Sequence, residues 1–164
     1  MKWEMRLQAG DRGVDDTVAF MSEFTRKYTG HRQVIEELRS NDLVDIRDKD
    51  KTIKNIYDYF ANLYTYKPDP EGIELIRSPK WTILNGERWG DCDDLSCALA
   101  TYLRTAGVDC KFRTGAWKKE TGNAFTHVWL LAKGKRGYVP LDPSAGKNGY
   151  LKEVNWHRKK DYNI

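Results

Sequence analysis

The apolar residues of this chain change their spacing once, at Gly107. Before it they recur every three or four residues. Val14, Val18, Met21, Phe24 and Tyr28 do so over Asp15–Thr29, Val34, Ile35 and Leu38 over a shorter stretch, and Ile53, Ile56, Tyr57, Phe60 and Leu63 over Asp48–Tyr64. Leu95, Leu99, Tyr102, Leu103 and Ala106 repeat the pattern over Asp91–Ala106. Each set marks one face of an amphipathic helix. After Gly107 the period falls to two: Val108, Cys110 and Phe112 alternate with polar residues, and Thr126–Ala132 and Tyr138–Asp142 read as further strands. Helices first and strands last predict an α+β fold.

Punctuation divides the chain without splitting it. Lys67-Pro68-Asp69-Pro70-Glu71-Gly72 ends the third helix, and Ser78-Pro79 can cap a short helical turn reaching Leu84. Thr114–Gly122 is polar and turn-like, and Leu151 and Val154 offer a last strand. The 164 residues suit one domain with a real core. We read residues 1–13 as an N-terminal arm, 14–66 as a helical part, 67–155 as the part carrying the chemistry and 156–164 as a charged tail.

The net charge of +4 comes from basic residues interleaved with acids, which predicts a solvated surface and no nucleic-acid partner. Met1–Gly13 holds no apolar run, and no stretch approaches the roughly 20 apolar residues of a membrane span. A cytoplasmic protein without a membrane partner is expected. Cys92, Cys97 and Cys110 are odd in number and form no Cys-x-x-Cys pair, so neither a disulfide framework nor a zinc site is predicted.

Chemistry concentrates in Trp89-Gly90-Asp91-Cys92-Asp93-Asp94-Leu95-Ser96, where a glycine-bearing loop becomes a helix. A cysteine at a helix N-terminus gains thiolate character from unpaired backbone N–H groups and the helix dipole. Cys92 shares the apolar stripe of Leu95 and so faces inward. Asp91 can cap the helix, with Asp94 completing a capping box. Asp91, Asp93 and Asp94 would raise a nearby thiol pKa unless they point outward as caps. Cys97, roughly 140° around the helix from Cys92, reads as packing, as does Cys110.

A thiolate nucleophile needs a base and an orienting group. His127 alone among the three histidines lies in a strand-like apolar segment; His31 and His157 sit in polar contexts and read as surface residues. A loop centred on Gly134-Lys135 pairs Leu131 with Tyr138, Trp129 with Pro140, and His127 with Asp142, all on one face. Pro140 lacks an N–H and cannot occupy a hydrogen-bonded pair, which selects a four-residue loop, Lys133–Arg136. His127 then opposes Asp142 directly, about 4.5–5.5 Å apart at Cβ. The backbone N–H of Cys92 can serve an oxyanion, with a second donor from the indole of either Trp81 or Trp89. Nothing in the Cys92, His127, Asp142 spacing is metal-specific, so no metal and no cofactor is expected.

Three blocks resemble the transglutaminase-like cysteine enzymes. They are Gly90-Asp91-Cys92-Asp93-Asp94-Leu95 with its helix ending at Ala106-Gly107-Val108, then Thr126-His127-Val128-Trp129, then Tyr138-Val139-Pro140-Leu141-Asp142-Pro143-Ser144. The Leu75-Ile76-Arg77-Ser78-Pro79 lead-in and the upstream helices look like members encoded by tailed bacteriophages or prophages. The resemblance implies a papain-like α+β core, with the Cys92 helix packed on an antiparallel sheet. It implies Cys92 as nucleophile, His127 as base and then acid, and Asp142 as orienting carboxylate. The calcium loops and extra β domains of the large animal cross-linking enzymes are not evident. A cysteine acyl-transfer enzyme in a bacterial host, acting on a protein or peptide, is the first expectation, with hydrolysis favoured over cross-linking. The alternative is a non-catalytic structural or assembly protein of a phage particle, with virion proteins as partners.

Overall fold

The computed structural model describes residues 11–70, 75–117 and 125–164. The arm predicted over Met1–Gly13 lies, up to Gly10, outside the described residues, as do the ends of the loops expected at 67–72 and 114–122.

Among the described residues, four α-helices precede the main sheet: α1 Asp11–Tyr28, α2 Arg32–Ser40, α3 Lys49–Leu63 and α4 Cys92–Thr105. The apolar spacing explains what each buries. Val18 and Met21 of α1, Val34 and Leu38 of α2, and Ile53, Ile56, Tyr57 and Phe60 of α3 all face the core. Leu63, expected on the α3 stripe, is 44% exposed because the stripe rotates past the core in the last turn. Asp48 caps α3 by accepting from the Lys51 N–H at 3.1 Å. His31 does the same for α2, its Nδ1 accepting from the Gln33 N–H at 3.3 Å. One helical turn, Lys80–Leu84, follows Ser78-Pro79.

Helix α4 is buried from Asp93 to Leu103, on every face rather than on a stripe. It lies between the other helices and a four-stranded antiparallel sheet of order β5-β4-β3-β6. The strands are β3 Cys110–Ala116, β4 His127–Gly134, β5 Gly137–Leu141 and β6 Arg158–Asn163. A short parallel pair, β1 Thr65–Tyr66 and β2 Trp89–Gly90, runs into the start of α4. The architecture is therefore α+β, with the cysteine-bearing helix against an antiparallel sheet. No described helix is long and apolar enough to cross a membrane.

Three readings of the strands need correction. Leu151 and Val154, expected in a last strand, lie outside any strand. Residues 158–163, taken as part of a charged tail, form the edge strand β6 beside β3. Charge pairs dock it instead of an apolar stripe: Arg113 of β3 binds Asp161 and Glu153, and Asp15 of α1 accepts from Lys160 and Tyr162. Charged side chains also guard such an edge against further pairing. The hairpin register also differs. The loop is Lys135-Arg136, closed by Gly134 opposite Gly137, so Leu131 opposes Pro140 and Leu130 opposes Leu141. Alternation from the closing pair still leaves Pro140 in a non-hydrogen-bonded position. The register has moved by two residues, which keeps every side chain on its predicted face.

Arg88, just before β2, has a left-handed backbone (φ 54°), unusual for a side-chain-bearing residue. Its guanidinium donates to Tyr64 at 2.7 Å, Tyr102 at 2.8 Å and Glu37 at 2.7 Å. Glu37 also accepts from Tyr102 and, at 3.0 Å, from Tyr59. Burial pushes the Glu37 carboxyl up, but these donors outweigh it and hold it below its ordinary value. The network ties α2, α3 and α4 to the loop that delivers Cys92.

Candidate active site

Cys92 is the first residue of α4, preceded by the extended N-cap residue Asp91. Its side chain is half-buried and, with His127, lines a cavity of about 180 Å³ whose far wall is Val14, Val18 and Met21 of α1. Cys97 and Cys110 are buried, their Sγ atoms donating to the carbonyls of Met21 and Val108. Burial pushes the Cys97 thiol well up and the Cys110 thiol up to about 12, so neither is a thiolate at neutral pH.

His127 opens β4, and Asp142 follows β5. The observed register sets them diagonally across the hairpin instead of directly opposite, and their side chains bridge that offset: Nε2 of His127 lies 2.8 Å from Oδ2 of Asp142. That bond leaves Nδ1 as the other ring nitrogen.

Asp142 is fixed from every side. Its Oδ1 accepts from the Ser144 N–H at 3.0 Å and the Ser144 hydroxyl at 2.6 Å. Its N–H donates to Gly149, and its carbonyl lies 2.7 Å from the Tyr57 hydroxyl of α3. Gly149 is required by proximity, since a Cβ there would stand 1.9 Å from the Asp142 carbonyl oxygen. Burial acts to raise the Asp142 pKa, but bonding to His127 and Ser144 outweighs it and keeps the carboxyl below its ordinary value.

The acidic residues around Cys92 do not point outward. Asp93 and Asp94 are buried, and Asp91 makes no side-chain capping bond. Asp94 is not a capping-box partner because Arg77 claims it: the Arg77 backbone N–H donates to Oδ1 at 2.5 Å and the guanidinium pairs with Oδ2. The same guanidinium reaches Asp69 at 2.8 Å. Burial and the Asp91 carboxylate push Asp94 up to about 7, with Arg77 pulling the other way. Among the described residues, Asp91, Asp93 and Asp94 are the group whose oxygens, all within 4.8 Å of one another, could share a cation.

The two indoles considered as oxyanion donors differ. Trp89 donates its Nε1–H to Glu87 at 3.1 Å and lies between Lys67 and Arg77, so that N–H is already engaged. Trp81 sits on the 80–84 turn, edge-on to Trp89, with its Nε1 buried. Sequence reasoning missed Tyr66. The two-residue strand β1 sets it opposite Gly90, and burial together with Cys92, Asp91, Asp69 and Asp142 pushes its phenol pKa up. A strand of two residues leaves no periodic signal.

A family model described as the transglutaminase-like superfamily matches residues 33–143, more than half of the chain. No curated protein sequence matches the chain. Among solved structures, the fold is similar to a protein of Parabacteroides distasonis described as a candidate protease, with a TM-score of 0.58 and 12% identity over 84% of this chain and 31% of that one. It is also similar to calcium-bound LapG of Legionella pneumophila, with a TM-score of 0.52 and 18% identity over 88% of this chain and 81% of that one. At these identities the likeness is one of fold. The chain spans about a third of the length of the Parabacteroides protein.

Proposed function

The chain belongs to the transglutaminase-like superfamily, and on that footing we propose that it is a cysteine-dependent acyl-transfer enzyme acting on peptide or side-chain amide bonds. One observation carries the reading: Cys92 and His127 line one cavity while His127 Nε2 is held by Asp142 at 2.8 Å. In this reading His127 takes the Cys92 proton at Nδ1. The thiolate attacks the substrate carbonyl carbon, the C–S bond forms, and the oxyanion is met by the Cys92 backbone N–H and an indole N–H, that of Trp81 or of Trp89. His127 returns the proton to the leaving nitrogen as the C–N bond breaks. Water, activated by the same imidazole, then resolves the thioester to a carboxylic acid. Hydrolysis is favoured over transfer to an amine because few elements shield a thioester here. The reading assigns no step to a metal ion.

Labelling that stops at Cys92 does not by itself support this reading, because burial already protects Cys97 and Cys110. The discriminating quantity is the rate of iodoacetamide alkylation against pH. An activated thiolate reacts faster at pH 6–7 than a simple thiol of pKa about 8.5, and His127→Ala abolishes the excess. A Cys92 that follows an ordinary thiol titration overturns the reading. Incubating an unfolded protein substrate with a fluorescent primary amine separates the two outcomes: new N-termini report hydrolysis, and incorporated dye reports transfer.

A further inference from the structure

The imidazole of His127 is not bare on its faces. Its ring centroid lies 5.6 Å from that of Trp129 and 5.4 Å from that of Trp156, with interplanar angles of 22° and 20°. The two indoles are 5.3 Å apart and 22° from parallel, so the three rings form one near-parallel cluster. Trp129 is expected there, two residues along β4. Trp156 is not: it comes from the segment leading into β6, far from His127 in sequence.

The fold makes room for this ring. Gly115 of β3 pairs with His127 on one side and with Lys159 on the other. A Cβ at Gly115 would lie 2.6 Å from Trp156 Cδ2 and 2.8 Å from the Trp129 ring. The Trp156 backbone is pinned by its own N–H to Val154 and by the His157 N–H to Ala116. Trp117 closes on the indole edge-on at 5.2 Å.

We propose that Trp156 is a positioning residue for His127: its indole holds the imidazole plane so that Nε2 stays on Asp142 and Nδ1 faces the Cys92 cavity. The proposal rests on the reading of Cys92 as nucleophile. Two consequences follow from the ring's chemistry. The π face favours the imidazolium formed when His127 takes the thiol proton. The stacked indole also limits rotation of the imidazole about its ring axis, which keeps Nε2 aimed at Asp142. Among the described residues, Asp142 at Nε2, Cys92 and Asp93 in the cavity, Lys152 and Glu153 in the pocket shared with Trp156, Lys159 beside Gly115, and Arg158 over the Phe125 ring are charged or titratable groups nearby. None of them sets the ring plane as a stacked indole does.

The test compares wild type, Trp156→Phe and Trp156→Leu in full-length protein, measuring Cys92 alkylation by iodoacetamide from pH 4 to 10 alongside thermal melting. Leucine fills the space without a π face; phenylalanine restores one. The proposal expects wild type to keep a rate plateau through neutral pH, Trp156→Leu to lower that plateau about threefold to thirtyfold, and Trp156→Phe to recover most of it. If Leu matches wild type, or if Phe and Leu lose rate equally in step with melting temperature, Trp156 is packing and the proposal is overturned. If wild type shows no neutral plateau, the reading of Cys92 falls first and this proposal with it.

Discussion

The hydroxyl of Tyr57, on α3, lies 2.7 Å from the carbonyl oxygen of Asp142 and 2.7 Å from that of Gly146, binding the helical half of the molecule to the turn that aims Asp142 at His127. Tyr57→Phe removes the hydroxyl from two part-buried carbonyls, of which that of Asp142 keeps the Ala145 N–H at 3.3 Å, and is expected to cost about 0.5–1.5 kcal/mol in chemical denaturation. Gly149→Ala, which presses on the same carbonyl, should slow Cys92 alkylation at pH 7 more than Tyr57→Phe does.

Glu37 accepts three donors in the network around Arg88. Replacing it with Gln leaves a half-buried guanidinium without its carboxylate, and a loss of about 1–3 kcal/mol is expected. Because Arg88 shapes the loop entering β2, Glu37→Gln should also lower the Cys92 alkylation rate. A stable variant with unchanged rate would show that the loop holds without the ion pair.

Arg77 is the cation inside an acidic neighbourhood next to the thiol. Arg77→Met should destabilise by about 1–3 kcal/mol, since buried Asp94 keeps the backbone N–H of residue 77 but loses the guanidinium and takes up a proton. The remaining carboxyls then raise the Cys92 thiol pKa. The alkylation profile of Arg77→Met should therefore shift to higher pH, and an unmoved profile would refute that electrostatic role.

The Asp142 carboxyl is held below its ordinary value of 3.8 in the folded protein. The unfolded chain thus binds this proton more readily. The stability it contributes is full above the unfolded value and disappears as pH falls through the folded one. Asp142→Asn should be less stable than wild type near pH 7, and the gap should be narrower near about pH 3, as pH falls from the unfolded value toward the folded one. Urea midpoints at both pH values measure it.

Much of the site was legible from residues alone. Strand alternation put His127 and Asp142 on one face, and that survived because the true register differs by two residues and not by one. The loop itself was not legible: glycine preference pointed to Gly134-Lys135 as the turn centre, whereas the chain places glycines at the closing pair and turns on Lys135-Arg136. Strand β6 escaped notice because Arg113, Asp161 and Lys160 hold it by charge, which carries no apolar period. The burial of Asp93 and Asp94 was hidden for a related reason. Arg77, 17 positions before Asp94, compensates the burial of Asp94 by a backbone N–H and a guanidinium that no local pattern announces.

Asp15 near the start of α1 meets Lys160 and Tyr162 of β6, 145 and 147 residues away. Contacts this distant in sequence close late in folding, after local helices have formed. Helix α1 lines the cavity with Cys92 and packs on α4, so until β6 docks on Asp15 the thiol lies behind a wall whose start is not yet anchored. The cysteine is then most open to oxidants before the protein is finished, and reducing conditions should matter most during synthesis and refolding.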